Sequence, residues 1–288
     1  MVVVSTVVAV GRRGFSARAA LLPQQGPHAS AAQCSVRHED RRDLWFIPRG
    51  ADGEPGQQVY PTDVAGRNSI VFLVRPPGVY RVDSDTSLLI DVVREGGYAA
   101  GRRVLDLGTG TGALAVAAAW CGAASVTAVD LSLRSVAAAW LNSRLHRVAC
   151  RVRRGDLCGP VAGERFDLIL ANPPYVPAAS DVLPRHRMSR CWDAGLDGRV
   201  LLDRICAEAP VLLAPEAQML VVHSAVCDED ITLKRFADAG LQAEVLTRRT
   251  VPFGPVMRAR AAMLETRGLV EPGQREEQLV VIGARRVP

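Results

Sequence analysis

From about Phe72 onward, short apolar runs rich in β-branched residues alternate with longer segments rich in Ala, Leu and Arg. The short runs are typical of strands, and the longer segments are typical of helices. This alternation predicts an α/β fold with a doubly wound, seven-stranded sheet. The predicted strands lie near Arg103–Leu107, Ser125–Asp130, Ala149–Arg153, Phe166–Ala171, Gln218–His223, Ala243–Thr247 and Gln278–Gly283.

Five helices are predicted before and between these strands. Residues 251–277, which precede the last strand, are interrupted by Pro and Gly and resemble a long hairpin excursion more than a helical crossover. Strands joined by a hairpin run antiparallel, so we expect a mostly parallel sheet with an antiparallel strand near one edge. The predicted helices are Thr86–Glu95, Gly112–Trp120, Ser132–His146, Val200–Ala209 and Glu229–Ala239.

The first 70 residues differ from the rest of the chain. They contain Pro/Gly/Gln-rich and charged stretches without a sustained helical or strand period. Such segments cannot bury enough apolar surface to offset the entropy of ordering. We therefore expect residues 1–70 to be a mostly disordered extension outside the core, and residues 71–288 to form one folded domain.

Composition narrows the class of protein. With 48% apolar and 23% charged residues in 288, the chain can bury a substantial core. Its longest apolar runs, such as Val2–Val10, are shorter than the roughly 18–20 residues that span a membrane, so no membrane partner is expected. The seven cysteines and five histidines are scattered, without the spacing of a metal site or a disulfide framework. This distribution suits a cytoplasmic protein without a bound metal.

The net charge of +5 comes almost wholly from arginine, because Lys234 is the only lysine. A basic surface attracts nucleic acid and other acidic partners. A complete bias toward arginine equally reflects the nucleotide composition of a gene. Charge therefore leaves the choice between protein and nucleic acid partners open.

A glycine-rich turn follows the first predicted strand in "VLDLGTGTGALAV", residues 104–116. Gly108, Gly110 and Gly112 permit tight backbone angles, and the amides at the start of the next helix are hydrogen-bond donors for a ligand. The spacing also satisfies the dinucleotide fingerprint, and Asp130 stands where a ribose-binding acid is expected in either case. The turn alone predicts a nucleotide-like ligand without identifying it.

Two further carboxylates favour S-adenosylmethionine. Asp106 stands two residues before Gly108, where it can face a cationic sulfonium and would repel the pyrophosphate of a dinucleotide. Asp156, just past the third strand in "RRGDL", can accept a hydrogen bond from an adenine amine. The alternative for both residues is that they cap turns or neighbouring helices.

The fourth strand of the pattern ends abruptly in "FDLILANPPYVP", residues 166–177. A planar nitrogen is a poor nucleophile, and two acceptors that hold its N–H groups can direct its lone pair toward a methyl group. The side-chain oxygen of Asn172 and the carbonyl of Pro173 are such acceptors, and Asn172 also borders the expected cofactor crevice. The prolines stiffen the chain, and Tyr175 offers a flat face to the substrate.

Together, "VLDLGTGTGALAV", "VTAVDLS" with the later Asn142, "RRGDL" and "NPPYV" resemble the HemK/PrmC family of protein-glutamine methyltransferases. "GVYRVDSDTSLLI" is similar to the segment that opens the family's first helix, and "WDAGLDGRVLLDRI" to its Gly-x-Asp-Gly stretch. The resemblance spans about Pro77 to Gly283 and is closest to the branch without an N-terminal helical domain.

The resemblance implies a class I methyltransferase fold and S-adenosylmethionine as cofactor. It implies a cofactor site at Asp106, Gly108, Gly110, Asp130 and Asp156, and a substrate-amide site at Asn172, Pro173 and Tyr175. It also implies a protein substrate, with a glutamine of a peptide chain release factor as the candidate. The chain departs from the family in one respect, since residues 1–70 do not resemble the helical domain that docks the release factor in bacterial members; this bears on the substrate and not on the chemistry.

Three other functions fit parts of the sequence. N-P-P-Y also occurs in N6-adenine methyltransferases that act on DNA or RNA, and arginines 185, 187 and 190 could contact phosphates. A non-catalytic binding module would keep the fold without the reaction. A nicotinamide-dependent oxidoreductase would use the same glycine spacing. Protein-glutamine methylation is the leading hypothesis, and nucleic acid is the less favoured substrate.

Overall fold

The computed structural model describes residues 57–64, 67–184 and 188–286, with side chains from residue 73 onward. All of these residues belong to the second of the two units into which the chain divides, Asp52–Pro288. Most of the predicted extension over 1–70 therefore lies outside the described residues. The predicted boundary at residue 70 falls inside a strand, and the division of the chain at that point stays a prediction.

Seven strands form one sheet in the order β5-β4-β3-β6-β7-β9-β8. All neighbours are parallel except that β9 runs antiparallel to both β7 and β8. The predicted mostly parallel sheet with an antiparallel strand near one edge is confirmed. The strands are β3 Arg103–Leu107, β4 Ser125–Asp130, β5 Cys150–Arg154, β6 Phe166–Ala171, β7 Leu213–Ser224, β8 Leu241–Pro252 and β9 Glu276–Arg286.

Helices lie on both sides of this sheet. They are α1 Ser84–Glu95, α2 Ala113–Trp120, α3 Leu133–Leu145, α4 Val200–Glu208, α5 Glu229–Asp238 and α6 Pro255–Thr266.

The sequence did not predict α6. We interpreted the prolines and glycines of 251–277 as breaks, but Pro255 is the first residue of the helix and Gly254 precedes it as the N-cap. Proline is favoured at a first helical position because its fixed φ is already helical and its missing N–H would have no partner there.

The order of the strands reverses between β3 and β6. The chain runs outward from β3 to β4 and β5, and then returns to place β6 on the other side of β3. Leu107 at the end of β3 pairs with Ala171 at the end of β6. In open α/β sheets, ligands bind at the carboxyl ends of strands where the order reverses. The glycine turn after β3 and Asn172 after β6 therefore lie at the same edge.

A separate antiparallel pair, β1 Gln57–Val64 and β2 Arg67–Val74, precedes the main sheet. Its end is attached to the buried side chain of Asn142 on α3. The Asn142 amide accepts from the Val74 N–H at 2.8 Å and donates to the carbonyls of Val74 at 3.0 Å and Thr111 at 2.8 Å. Asn142 thus joins β2, α3 and the glycine turn.

The glycine turn packs closely on α3 at Gly112. Its φ is +85°, and an added Cβ would lie 3.0 Å from the Cα of Ala139. Gly122 has the same φ of +85°, but its nearest contact would be an ordinary 3.8 Å. We expect Gly122→Ala to lower the free energy of unfolding by about 1 kcal/mol through backbone strain. Gly112→Ala should cost about 1–3 kcal/mol more through overpacking. Equal losses in chemical denaturation would contradict this packing role.

Candidate active site

A cavity of about 1080 Å³ opens at the carboxyl ends of β3, β4 and β6. All residues that the sequence predicted for the site line this cavity, except Asp106 and Gly112. The structure therefore brings the glycine turn and N-P-P-Y together. The predicted residues that line the cavity are Gly108, Gly110, Asp130, Asp156, Asn172, Pro173 and Tyr175.

The glycine turn uses backbone angles that favour glycine. Gly108 has a φ of +75° and Gly110 a φ of +56°, and a Cβ at Gly108 would meet no atom within 4 Å. The N–H groups of Gly108 and Thr109 donate to the Val129 carbonyl at 2.9 and 3.0 Å. The turn is thereby fixed to the end of β4, and its backbone is left open at Gly108 and Gly110.

Asp130 ties this turn to the start of α3. Its Oδ2 accepts from the Gly110 N–H at 3.0 Å, and its Oδ1 accepts from the Ser132 N–H at 2.7 Å. Burial raises the pKa of Asp130, while these hydrogen bonds oppose the rise. The Ser135 side chain adds a third hydrogen bond. An ionised carboxylate offers about four lone-pair sites, so Asp130 retains capacity for a ligand hydroxyl.

Asp106 lies beneath the turn and is fully buried. Its Oδ2 accepts from the Thr109 hydroxyl at 2.6 Å and from the Ala115 N–H at 3.1 Å. Its Oδ1 is buried with no partner among the described residues, and burial raises the pKa of Asp106 to about 7. Asp106 thus caps the first turn of α2, which is the alternative role that the sequence left open. Direct contact with a cofactor stays a prediction.

Gly112 also has a packing role. The φ of +85° and the close approach to Ala139 place it between α2 and α3, where a side chain would separate the helices. Its predicted contact with a cofactor stays a prediction.

Asp156 is at the cavity wall, and its carboxylate is already paired. Arg204 of α4 donates to it through both terminal nitrogens, at 2.9 and 3.3 Å. The pair is exposed, with side-chain exposures of 37% for Arg204 and 52% for Asp156, so it contributes little to stability. An adenine amine would share this carboxylate with the guanidinium. Binding of adenine by Asp156 stays a prediction.

Asn172 is oriented by a short chain of hydrogen bonds to the start of α1. Its Nδ2 donates to the Thr86 hydroxyl at 2.9 Å, and that hydroxyl lies 3.2 Å from the carboxylate Oδ1 of Asp85, to which it donates. The amide nitrogen therefore faces Thr86. No hydrogen bond among the described residues uses the amide oxygen of Asn172, and that oxygen is the acceptor predicted to hold the substrate.

Tyr175 is fixed by the same carboxylate. The hydroxyls of Tyr175 and Tyr80 donate to Oδ2 of Asp85 at 3.1 and 2.8 Å, and the Thr86 N–H donates to Oδ1. Burial raises the pKa of Asp85, while the hydrogen bonds from Tyr80 and Thr86 oppose the rise. Burial, with the nearby Asp85 carboxylate, also raises the pKa of both tyrosines, so they remain hydroxyl donors.

Sequence reasoning did not assign a role to Tyr80, Asp85 or Thr86. The available signal was the similarity of "GVYRVDSDTSLLI" to the segment that opens the first helix of the HemK/PrmC family. Composition and spacing alone do not show that this segment meets N-P-P-Y, because 86 residues separate Thr86 from Asn172.

The chain after N-P-P-Y is held by the stretch that contains Gly195 and Gly198. Val176 N–H donates to the Trp192 carbonyl at 2.8 Å, and Ala178 N–H donates to the Gly195 carbonyl at 2.7 Å. A Cβ at Gly198 would lie 2.3 Å from the Tyr175 carbonyl oxygen, so only glycine fits there. These contacts fix the backbone that carries Tyr175.

The unpredicted helix α6 holds the backbone that follows N-P-P-Y. Arg260 donates to the Pro177 carbonyl at 2.9 Å and to the Asp193 carboxylate at 2.6 Å. Arg267, just past the helix, donates to the Ala178 carbonyl at 2.7 Å. Two arginines thus clamp the backbone that follows N-P-P-Y.

Arginines 185 and 187 lie outside the described residues, whereas Arg190 lines the cavity. Among residues that the structure describes, no group of three His, Cys, Asp or Glu could hold a metal ion. Within the same part of the chain, no helix is long and apolar enough to cross a membrane.

Comparison with known proteins identifies close relatives. The methyltransferase small domain family matches residues 71–186. The chain is 32% identical over 181 residues to a putative protein N5-glutamine methyltransferase of Methanocaldococcus jannaschii, which covers 63% of this chain and 90% of the relative. It is 31% identical over 184 residues to a release factor glutamine methyltransferase of Geobacter sulfurreducens, which covers 61% of this chain and 63% of the relative. The chain thus spans less than two thirds of that second relative.

A solved structure supports the fold. A T. thermophilus 16S rRNA methyltransferase, in complex with S-adenosylmethionine and guanosine, superposes with a TM-score of 0.54 at 20% identity. The match covers 81% of this chain and 51% of that one. At this identity, the likeness shows the class I methyltransferase fold alone.

The buried Asp106 predicts a pH-dependent stability. Because its native pKa of about 7 lies above its ordinary value of 3.8, the native state binds more protons than the unfolded state between these values. Wild-type stability should therefore fall as pH rises through this window, by up to about 1.4 kcal/mol per pH unit. Asp106→Asn keeps an acceptor oxygen and cannot ionise, so its fall should be shallower. Denaturant unfolding at pH 5 and pH 7.5 measures the fall in stability of both proteins. An equal fall in wild type and Asp106→Asn would contradict the effect of burial on Asp106.

Proposed function

The chain belongs to the HemK/PrmC family of S-adenosylmethionine-dependent protein-glutamine methyltransferases, and on this premise we propose that it methylates the side-chain amide of a glutamine in a translation protein, with a release factor as first candidate. The proposal extends from family to substrate because a release factor glutamine methyltransferase is among the relatives. Translation takes place in the cytoplasm, so we propose that the protein acts there.

The residues present fit the proposed cofactor. Gly108 and Gly110 give a bare backbone surface, and Asp130 keeps capacity to accept from a ribose hydroxyl. Asp156 also lines the cavity and can accept a hydrogen bond from an adenine amine. S-adenosylmethionine supplies a methyl group on a positively charged sulfur.

At the part of the cavity formed by N-P-P-Y, which we call the acceptor end, the residues suit a planar amide substrate. A glutamine amide has two N–H groups, and the side-chain oxygen of Asn172 and the carbonyl of Pro173 can accept one each. Holding both N–H groups fixes the plane of the amide and directs the nitrogen lone pair toward the cofactor side of the cavity. Tyr175, fixed through its hydroxyl, provides an aromatic face beside the amide.

The orientation of Asn172 is the observation that carries the proposal. Without the bond from Nδ2 to Thr86, the amide of Asn172 could turn and offer a donor to the substrate, which would repel the substrate N–H. The Thr86 hydroxyl in turn donates to Asp85, so it accepts from Asn172. An acceptor held in advance favours the charge that develops on the substrate nitrogen as the new bond forms.

Charge at the acceptor end favours a protein over a nucleic acid. Asp83, Asp85 and Glu277 line the cavity, and their carboxylates would repel the phosphates that flank a target adenine. Of the arginines that line the cavity, Arg204 is paired with Asp156 and Arg190 acts electrostatically on Asp130, so both lie beside predicted cofactor residues. Adenine methylation is therefore the second candidate.

A substrate assay separates the two candidates. The protein is incubated with S-adenosylmethionine labelled on the methyl group and with a bacterial release factor, duplex DNA, single-stranded DNA or RNA. Label on a glutamine, located by mass spectrometry, supports the proposal. Label on adenine instead would replace it with the second candidate.

Asn172→Ala tests the role of the acceptor oxygen. By analogy with loss of one oxyanion-hole donor, its removal should lower the rate of methyl transfer by about 10²-fold. The cofactor affinity should change little, because the glycine turn and Asp130 are intact. Gln242→Ala, which removes an exposed amide from β8, is the control and should keep the wild-type rate. Unchanged turnover by Asn172→Ala would exclude the proposed chemistry.

A further inference from the structure

Glu277 is a buried carboxylate to which neither the sequence nor the proposed reaction gives a role. It is the second residue of β9, at the end of the antiparallel strand that reaches the edge of the sheet where N-P-P-Y lies. Its side chain lines the cavity, although the residue is only 7% exposed. Its Oε2 has no hydrogen-bond partner among the described residues.

No cationic side chain in the described part of the chain is paired with Glu277. Burial raises its pKa to about 6; hydrogen bonding by Ser224 opposes this rise, and the nearby Asp85 and Asp83 add to it. No ion pair within the described part of the chain includes Glu277. A pKa of about 6 leaves the carboxylate ionised at neutral pH. A buried, ionised group without a full set of donors is costly, and such groups in native structures require an explanation.

The donors already at hand do not satisfy this carboxylate. The hydroxyls of Tyr80 and Tyr175 both donate to Asp85. The proposed reaction assigns the two N–H groups of the substrate amide to Asn172 and Pro173. No donor within the described residues is thus left for Oε2, and a substrate that enters the cavity can supply one.

We propose that Glu277 is a specificity-determining residue, which accepts a main-chain N–H from the polypeptide segment that carries the target glutamine. A backbone N–H is the donor that every polypeptide brings close to its side-chain amide. This inference rests on the proposed function and identifies the substrate more narrowly, as a peptide segment and not an isolated amide. The position of Glu277 on β9 sets this contact apart from the two acceptors that follow β6, Asn172 and Pro173.

The consequence is a selectivity that the N-P-P-Y acceptors alone do not give. A small primary amide reaches Asn172 and Pro173 but leaves Glu277 without its donor, so it should be a poor substrate. A polypeptide that lacks the N–H at the right position should be poor for the same reason. Hydrogen bonds to a charged group are worth more than neutral ones, which makes the effect measurable.

The test combines a variant with backbone-modified substrates. A glutamine peptide taken from the release factor is prepared in its parent form and in forms that carry an N-methyl group on one backbone nitrogen near the glutamine. Wild type, Glu277→Ala and Glu276→Ala are compared by kcat/KM on each peptide. Glu276 precedes Glu277 directly and is exposed, so Glu276→Ala is the matched control for loss of a negative charge.

Wild type should lose about 10- to 100-fold in kcat/KM on one of the N-methylated peptides. Glu277→Ala should lose a similar factor on the parent peptide and nothing further on that N-methylated form. Glu276→Ala should behave as wild type. This non-additivity supports the inference, because a structural defect would lower the rates on all peptides alike.

Three results would overturn the inference. Glu277→Ala could keep the wild-type rate on the parent peptide, or keep the wild-type discrimination against the N-methylated peptide, or lose activity equally on every peptide. If wild type binds S-adenosylmethionine but methylates no glutamine peptide or release factor, the proposed function itself fails, and the inference fails with it. Methylation by wild type together with any of the first three results removes the inference alone.

Discussion

The buried carboxylate of Asp85 is the interaction on which the acceptor half of the site depends. A carboxylate in a dry environment is stable only if donors surround it. Asp85 takes the hydroxyls of Tyr80 and Tyr175 and both the N–H and the hydroxyl of Thr86. The need to satisfy one carboxylate therefore orders the start of α1 and the end of β6 together. The Thr86 hydroxyl, committed to Asp85, then orients Asn172.

The cofactor half of the site is held mainly by backbone hydrogen bonds. There the backbone of the glycine turn is fixed to β4, and the Asp130 carboxylate joins the turn to α3. Asp106 supports the turn from below and Gly112 allows the helices to approach. The two halves meet because β3 and β6 are neighbours at the point where strand order reverses. The hydrogen bond from Arg260 of α6 and the close contact at Gly198 then fix the backbone of the N-P-P-Y segment.

Local sequence patterns sufficed for much of this arrangement. The strands at Arg103–Leu107, Ser125–Asp130 and Phe166–Ala171 have the predicted bounds, because buried parallel strands give short, continuous apolar runs. The glycine turn and N-P-P-Y were located because each combines rare backbone requirements with polar groups at a strand end. The helix α6 was missed because a proline was interpreted as a break, although it begins the helix.

The remaining features depend on contacts between distant parts of the chain. The roles of Tyr80, Asp85 and Thr86 depend on packing against a strand more than 80 residues later, for which no local pattern exists. The capping position of Asp106 could be named only as an alternative, since a carboxylate beside a glycine turn fits both a cap and a ligand. Glu277 is one of two consecutive glutamates, and only the fold distinguishes the buried one from its exposed neighbour.

Thr86→Val is the most direct measurement of whether Asp85 and Thr86 control the chemistry. The substitution keeps the shape of the side chain and removes the hydroxyl that accepts from Asn172. Single-turnover methyl transfer should slow by about 10-fold, the upper range for one hydrogen bond, while the dissociation constant for S-adenosylmethionine stays unchanged. A wild-type rate of transfer in a folded Thr86→Val protein would contradict the account.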